Sequence, residues 1–201
     1  DLAAELKTSL GDSQKLTIHV QDVLQFDFNI FGTKKMRIIG NLPYNITTPL
    51  IFHLLKFEPL IQDMHFMLQK EVVERMVGTP STSDYGRLSV MLQYRFDMEY
   101  AFSVPAASFR PIPKVESAIV RMTPRDDSSR DAKDEILFSQ IVASAFSQRR
   151  KTLRNTLHSY LGLSDFNSLD IDPGLRAENL SVAQFVAISN FLTLSIKHKA
   201  T

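Results

Sequence analysis

Asn41, Leu42, Pro43 and Tyr44 follow directly on an apolar run, Ile38-Ile39-Gly40. Their order suits one piece of chemistry, work on the exocyclic amine of a flat base. Such an amine is a poor nucleophile because its lone pair is delocalised into the ring. A site that accepts both N–H bonds, one on the Asn41 side-chain oxygen and one on a neighbouring backbone carbonyl, draws that lone pair out of the ring plane. Pro43 fixes its own φ and pushes Leu42 towards an extended conformation, which aims the Leu42 carbonyl at the same point. Tyr44 then offers a face on which an extruded base can stack. The same order also describes a strand end, a proline turn and a helix start with Tyr44 merely packing, and so short a motif does not separate the two readings.

Three other places carry candidate chemistry. Phe109 stands among prolines in Pro105-Ala106-Ala107-Ser108-Phe109-Arg110-Pro111-Ile112-Pro113-Lys114, a stiff loop in which the ring is either presented or used as a core anchor. Asp22 follows the alternating stretch Leu16-Thr17-Ile18-His19-Val20, just past the carboxyl end of an expected strand, where an open α/β sheet places ligand contacts. A helix or turn cap is the other reading of a lone Asp. Between Ile136 and Ser164 there is no acidic residue, while Arg149, Arg150, Lys151 and Arg154 fall within six positions. Cations without interleaved acids suit a phosphate contact surface; a solubilising face is the alternative.

The elements that must position these residues read as α/β. Helical pattern opens the chain at Asp1-Leu2-Ala3-Ala4-Glu5-Leu6. The strand Met36–Ile39 leads into the motif, and Thr48 reads as the N-cap, with Pro49 at the first helical position, of a helix running through Phe57. A second strand, Met64–Leu68, is followed by a helix to Val77. Two successive strand-to-helix units predict a parallel sheet with covering helices. After the polar loop 79–84, a helix runs to about Tyr94. Strands at Tyr100–Val104 and Ser117–Met122, with no helix between them, predict an antiparallel edge. The polar stretch 123–134 marks the expected boundary between a catalytic domain, 1–125, and a helical domain, 126–201. In the latter, Phe138, Ile141, Val142, Ala145 and Phe146 form one apolar stripe continued by Leu153 and Leu157, with a break near Ser147-Gln148. Ser181 to Gln184 forms a capping box for a last helix reaching about Lys197.

Composition narrows the function classes. The 201 residues are 44% hydrophobic and 22% charged, ordinary values for a globular chain. Zero Cys excludes a disulfide scaffold or a thiolate metal site, and fits a reducing, cytoplasmic setting. The five His are scattered without ligand spacing, so no metal is expected. No apolar run approaches the ~20 residues of a membrane helix.

Asn41-Leu42-Pro43-Tyr44 resembles the catalytic motif of N6-adenine methyltransferases. Its continuation, Asn45-Ile46-Thr47-Thr48-Pro49-Leu50, is similar to the branch acting on ribosomal RNA, the bacterial small-subunit rRNA adenine N6,N6-dimethyltransferase family. Phe109 to Val115, Gln148-Arg149-Arg150-Lys151-Thr152 and Arg176-Ala177-Glu178-Asn179-Leu180-Ser181 resemble further signatures of the same family. The resemblance implies a class I (Rossmann-like) methyltransferase sheet, S-adenosylmethionine as methyl donor, and dimethylation of two adjacent adenines in a 3′-terminal hairpin of 16S rRNA within a pre-30S particle. It implies that Asn41 and the Leu42 carbonyl activate the amine and that Tyr44 and Phe109 wall the base. It also implies that Asp22, with Asn41, contacts the cofactor. Arg149, Arg150, Lys151 and Arg154 would dock on RNA, and the enzyme would act as a monomer without metal.

The seven Gly, at 11, 32, 40, 78, 86, 162 and 174, make no Gly-rich cofactor loop. The resemblance begins past the position where the family carries one. The expectation is therefore a chain lacking its N-terminal cofactor region and inactive by itself. A non-catalytic RNA-binding module on the same fold, and a DNA or antibiotic-resistance adenine methyltransferase, are the competing readings.

Overall fold

The computed structural model describes residues 2–10, 15–126 and 131–199. After helix α1 (Leu2–Leu10) the chain runs through two short 3-10 turns to strand β1 (Met36–Asn41) and helix α2 (Thr47–Leu54). Strand β2 (Ile61–Gln69), helices α3 (Lys70–Val77) and α4 (Arg87–Gln93), and strands β3 (Phe96–Val104) and β4 (Ser117–Pro124) follow. The remainder is helical: α5 (Glu135–Ala145), α6 (Leu153–Thr156), α7 (Leu163–Ser168) and α8 (Val182–Lys199).

The four strands form one sheet in the order β1-β2-β4-β3. β1 and β2 run parallel, whereas β4 is antiparallel to both β2 and β3, so the expected antiparallel edge is present. Alternation sets the faces. Phe66 and Leu68 of β2 and Val120 and Met122 of β4 point into a core closed by α2 and α3 through Ile51, Leu54, Val73 and Met76. The opposite face carries an ion network. Arg37 grips the buried Asp63 through two hydrogen bonds of 2.6 and 2.8 Å, with Arg121 at 3.6 Å.

A second apolar cluster is built from the helical remainder. The stripe Phe138, Ile141, Val142 and Ala145 is fully buried there with Leu153, Leu157 and Phe185, and the helix breaks after Ala145, two residues before the expected break near Ser147-Gln148. Ser181 and Gln184 close the capping box at α8: the Ser181 N–H donates to the Gln184 side chain and the Gln184 N–H to the Ser181 hydroxyl. α4 joins the clusters, because Leu92 is buried in the sheet core while Tyr85, Val90 and Tyr94 are buried among the helices. Arg95 ties the same junction, pairing with Glu58 at 3.3 Å and with Glu135.

Two expectations are corrected. Leu16–Val20 forms no strand and joins no ladder among the described residues, and Leu16 and Val20 are 41% and 72% exposed. Alternation tells which side chains share a face; it does not supply the neighbouring strand that makes a strand. Thr48 is not the N-cap. α2 starts at Thr47 behind Ile46, which makes no side-chain cap bond, and Pro49 sits inside the first turn, where its missing N–H has no partner to lose. The helix stops at Leu54 and tightens into a 3-10 run, Leu55–Leu60, that accommodates Pro59.

Candidate active site

β1 delivers the motif to the carboxyl edge of the sheet. Gly40 faces inward opposite Phe66, and a Cβ there would lie 2.8 Å from Leu42 Cδ2 and 3.1 Å from the Phe66 ring. A larger residue here would require the Leu42 side chain to shift and the Phe66 ring to give by a few tenths of an ångström. The Leu42 N–H still donates to the Met67 carbonyl at 3.4 Å, after which Pro43, at φ −57° and ψ 131°, turns the chain. A 3-10 turn over Tyr44–Ile46 follows, closed by the Ile46 N–H on the Pro43 carbonyl at 3.1 Å. Asn41 is exposed, and among the described residues nothing donates to its side-chain oxygen or to the Leu42 carbonyl. The Tyr44 backbone opens the turn; its side chain lies outside the described residues.

Topology brings the proline loop to the same place. Because β4 runs against β2, its first residue, Ser117, pairs with Gln69 at the carboxyl end of β2, beside Asn41, which pairs with Met67. The loop leaving β3 makes a 3-10 turn at Ala106–Ser108, closed by the Phe109 N–H on the Ala106 carbonyl at 3.2 Å. The Lys70 N–H donates to the Glu116 carbonyl at 3.0 Å and the Lys70 ammonium meets the Glu116 carboxylate at 2.9 Å, which anchors the loop's end. The result is a cleft of about 330 Å³ lined by Asn41, Leu42, Pro43, Phe109, Arg110, Pro111 and Pro113. Phe109 is half-buried and lines this cleft. Arg110 is the residue that sequence reasoning passed over. The available signal was its place beside Phe109, in a loop already singled out.

Asp22 is the N-cap of the 3-10 turn Val23–Gln25, its Oδ1 accepting from the Leu24 N–H at 2.9 Å. Its second carboxylate oxygen has no partner among the described residues. The segment after it packs on α2, where His53 Nε2 lies 2.9 Å from the Phe26 carbonyl. The segment after Asp22 thus packs on the helix that follows the motif, but Asp22 is not part of the cleft lining.

Arg149, Arg150 and Lys151 occupy the turn after α5, and Arg154 lies on α6. All four are exposed, and none has an ion-pair partner among the described residues. None of them lines the cleft at Asn41. Also among the described residues, no helix is long and apolar enough to cross a membrane, and no group of three or more His, Cys, Asp or Glu could hold a metal ion.

The model of one family, ribosomal RNA adenine dimethylase, matches residues 1–194. The chain belongs to the ribosomal RNA adenine dimethylase family. It is 57% identical over 192 residues to ribosomal RNA small subunit methyltransferase A of Thiobacillus denitrificans, an alignment covering 96% of this chain and 74% of that protein. The protein of the same name from Aromatoleum aromaticum is 60% identical over 192 residues, covering 96% and 72%. Among solved structures, a dimethyladenosine transferase from Plasmodium falciparum superposes with a TM-score of 0.81 at 26% identity, over 99% of this chain and 79% of that one. A 23S rRNA methyltransferase, at 22% identity and a TM-score of 0.72 over 96% and 78%, shares the fold. The dimethylase is therefore a methyltransferase on a Rossmann-like α/β fold.

The methyl donor of this family is S-adenosylmethionine. The polar atoms present fit it in kind: a carboxylate oxygen of Asp22 has no partner among the described residues and can accept from an adenine amine, and Asn41 stands exposed at a strand's carboxyl end.

Proposed function

We propose that the dimethylase methylates N6 of two adjacent adenines in a 3′-terminal hairpin of 16S rRNA, twice each, acting as a cytoplasmic monomer on a pre-30S particle. The observation that carries this reading is the cleft at the sheet's carboxyl edge, lined by Asn41, Leu42 and Phe109, where no donor among the described residues takes the Asn41 side-chain oxygen or the Leu42 carbonyl. Asn41 accepts one amine hydrogen and the Leu42 carbonyl the other, which localises the nitrogen lone pair. Phe109 and Tyr44 hold the base between them. S-adenosylmethionine, when bound, supplies the methyl group, and Asp22 and Asn41 would hold it. The amine loses its proton after the methyl arrives, so no strong general base is required. Residues 126–201 form a helical domain that docks on RNA backbone through Arg149, Arg150, Lys151 and Arg154, while residues 1–125 carry the chemistry.

The test is Asn41→Ala, assayed by methyl incorporation into immature small subunits. Removing one acceptor aimed at the reacting nitrogen should lower turnover by about 100-fold or more while RNA binding stays close to wild type. Near-normal turnover would overturn the role.

A further inference from the structure

Between α4 and the turn after α5 lies a groove of about 520 Å³ that the chemistry at Asn41 does not use. Arg75 of α3, Arg87 of α4 and Arg149 and Lys151 after α5 line it, with Asp84 and Glu178 as its acids. Their charges are not equally available. Arg75 is paired with Glu71, and Glu178 faces Arg176 at 3.9 Å. Arg87, Arg149 and Lys151 have no ion-pair partner among the described residues. A second groove of about 430 Å³ shares Arg149 and Glu178 with the first and adds Arg150 and Arg176. The floor is preformed, with the buried Tyr85 packed edge-to-face on Phe146 at 6.4 Å.

We propose that these adjoining grooves seat consecutive phosphates of one RNA strand, and that Arg87 is a phosphate contact supplied by the sheet side of the molecule. Two connected, open and net-cationic grooves match a strand of spaced charges, whereas a compact anion would fill only one. The consequence is positional. α4 buries Leu92 in the sheet core and Val90 among the helices, so a strand held on Arg87 and Arg149 together spans the junction between them. RNA register relative to the cleft at Asn41 is then set by both units rather than by the basic cluster alone. This rests on the reading that ribosomal RNA is the substrate.

Arg87→Gln tests it in the protein's complex with immature small subunits, with affinity measured across salt concentrations. Lys56→Gln, which removes an exposed cation outside both grooves, is the control. One lost phosphate contact lowers the slope of log K against log salt by ~0.7–0.9, so the affinity lost between 0.05 and 0.2 M salt shrinks by about threefold. Arg87 is exposed, so the melting temperature should not move. A slope equal to that of Lys56→Gln overturns the proposal. If the Arg149, Arg150, Lys151 and Arg154 quadruple Gln variant is nonetheless flatter, only the groove claim falls and the docking reading stands. Wild-type slopes in both variants overturn the two together.

Discussion

Gly40→Ala links the packing of the sheet to the chemistry of the cleft. The new methyl would sit 2.8 Å from Leu42 Cδ2, 3.1 Å from Phe66 Cδ1 and 3.3 Å from Phe66 Cε1. Phe66 is 1% exposed and enclosed by the sheet core, so its ring cannot swing away. Relief must come from Leu42, which is only half-buried and lines the cleft. Overpacking of this size costs about 1–3 kcal/mol. In a chain of this length each kcal/mol moves the melting temperature by about 2–4 °C, so a fall of roughly 2–12 °C is expected. Where the relief reaches the Leu42 backbone it moves the carbonyl proposed to receive the amine, and a displacement of ~1 Å at reacting groups costs about 100-fold. Thermal melts and methyl incorporation, the latter at a temperature where the variant is fully folded, separate the effects. A variant that melts like wild type refutes the steric reasoning. A destabilised variant with full turnover refutes the link from Gly40 through Leu42 to the cleft.

Tyr44→Ala and Phe109→Ala should each cost about 1–3 kcal/mol of base stacking, and the double variant less than their sum if the two rings share one base; strict additivity in binding measurements would refute a shared slot. Replacing Arg149, Arg150, Lys151 and Arg154 with Gln should flatten the salt slope of RNA binding by roughly three units with turnover at saturating substrate unchanged. Asp63 is held below its ordinary pKa of 3.8 by the hydrogen bonds from Arg37. Because the folded pKa is the lower one, its contribution to stability is present above pH 3.8 and lost as pH falls through the folded value. Asp63→Asn should therefore lower the melting temperature at neutral pH and remove part of the further fall below pH 3.8, a difference that disappears if the pair contributes nothing.

What the sequence determined by itself is local. The run into Gly40, the proline after Leu42 and the apolar stripe from Phe138 to Ala145 each depend on a few neighbouring residues, so backbone preference and periodicity were enough to place them. The basic turn at 149–151 was legible for the same reason, since charge density needs no partner to be seen. Tertiary structure alone decided what lies beside what. Leu16–Val20 alternates as a strand should, yet strand formation needs a hydrogen-bonding neighbour, which alternation does not encode. Asp22 was expected just past a strand's end, but no strand precedes it among the described residues and one of its carboxylate oxygens caps the local turn. Phe109 was ambiguous until β4 ran antiparallel to β2 and brought the proline loop to the edge where Asn41 ends β1. Arg87 and Arg149 are far apart in sequence, and the burial of α4 in two cores brings them into the lining of one groove. The reason is the same throughout: a residue's conformational preferences travel with it, whereas its neighbours in space depend on the whole chain's packing.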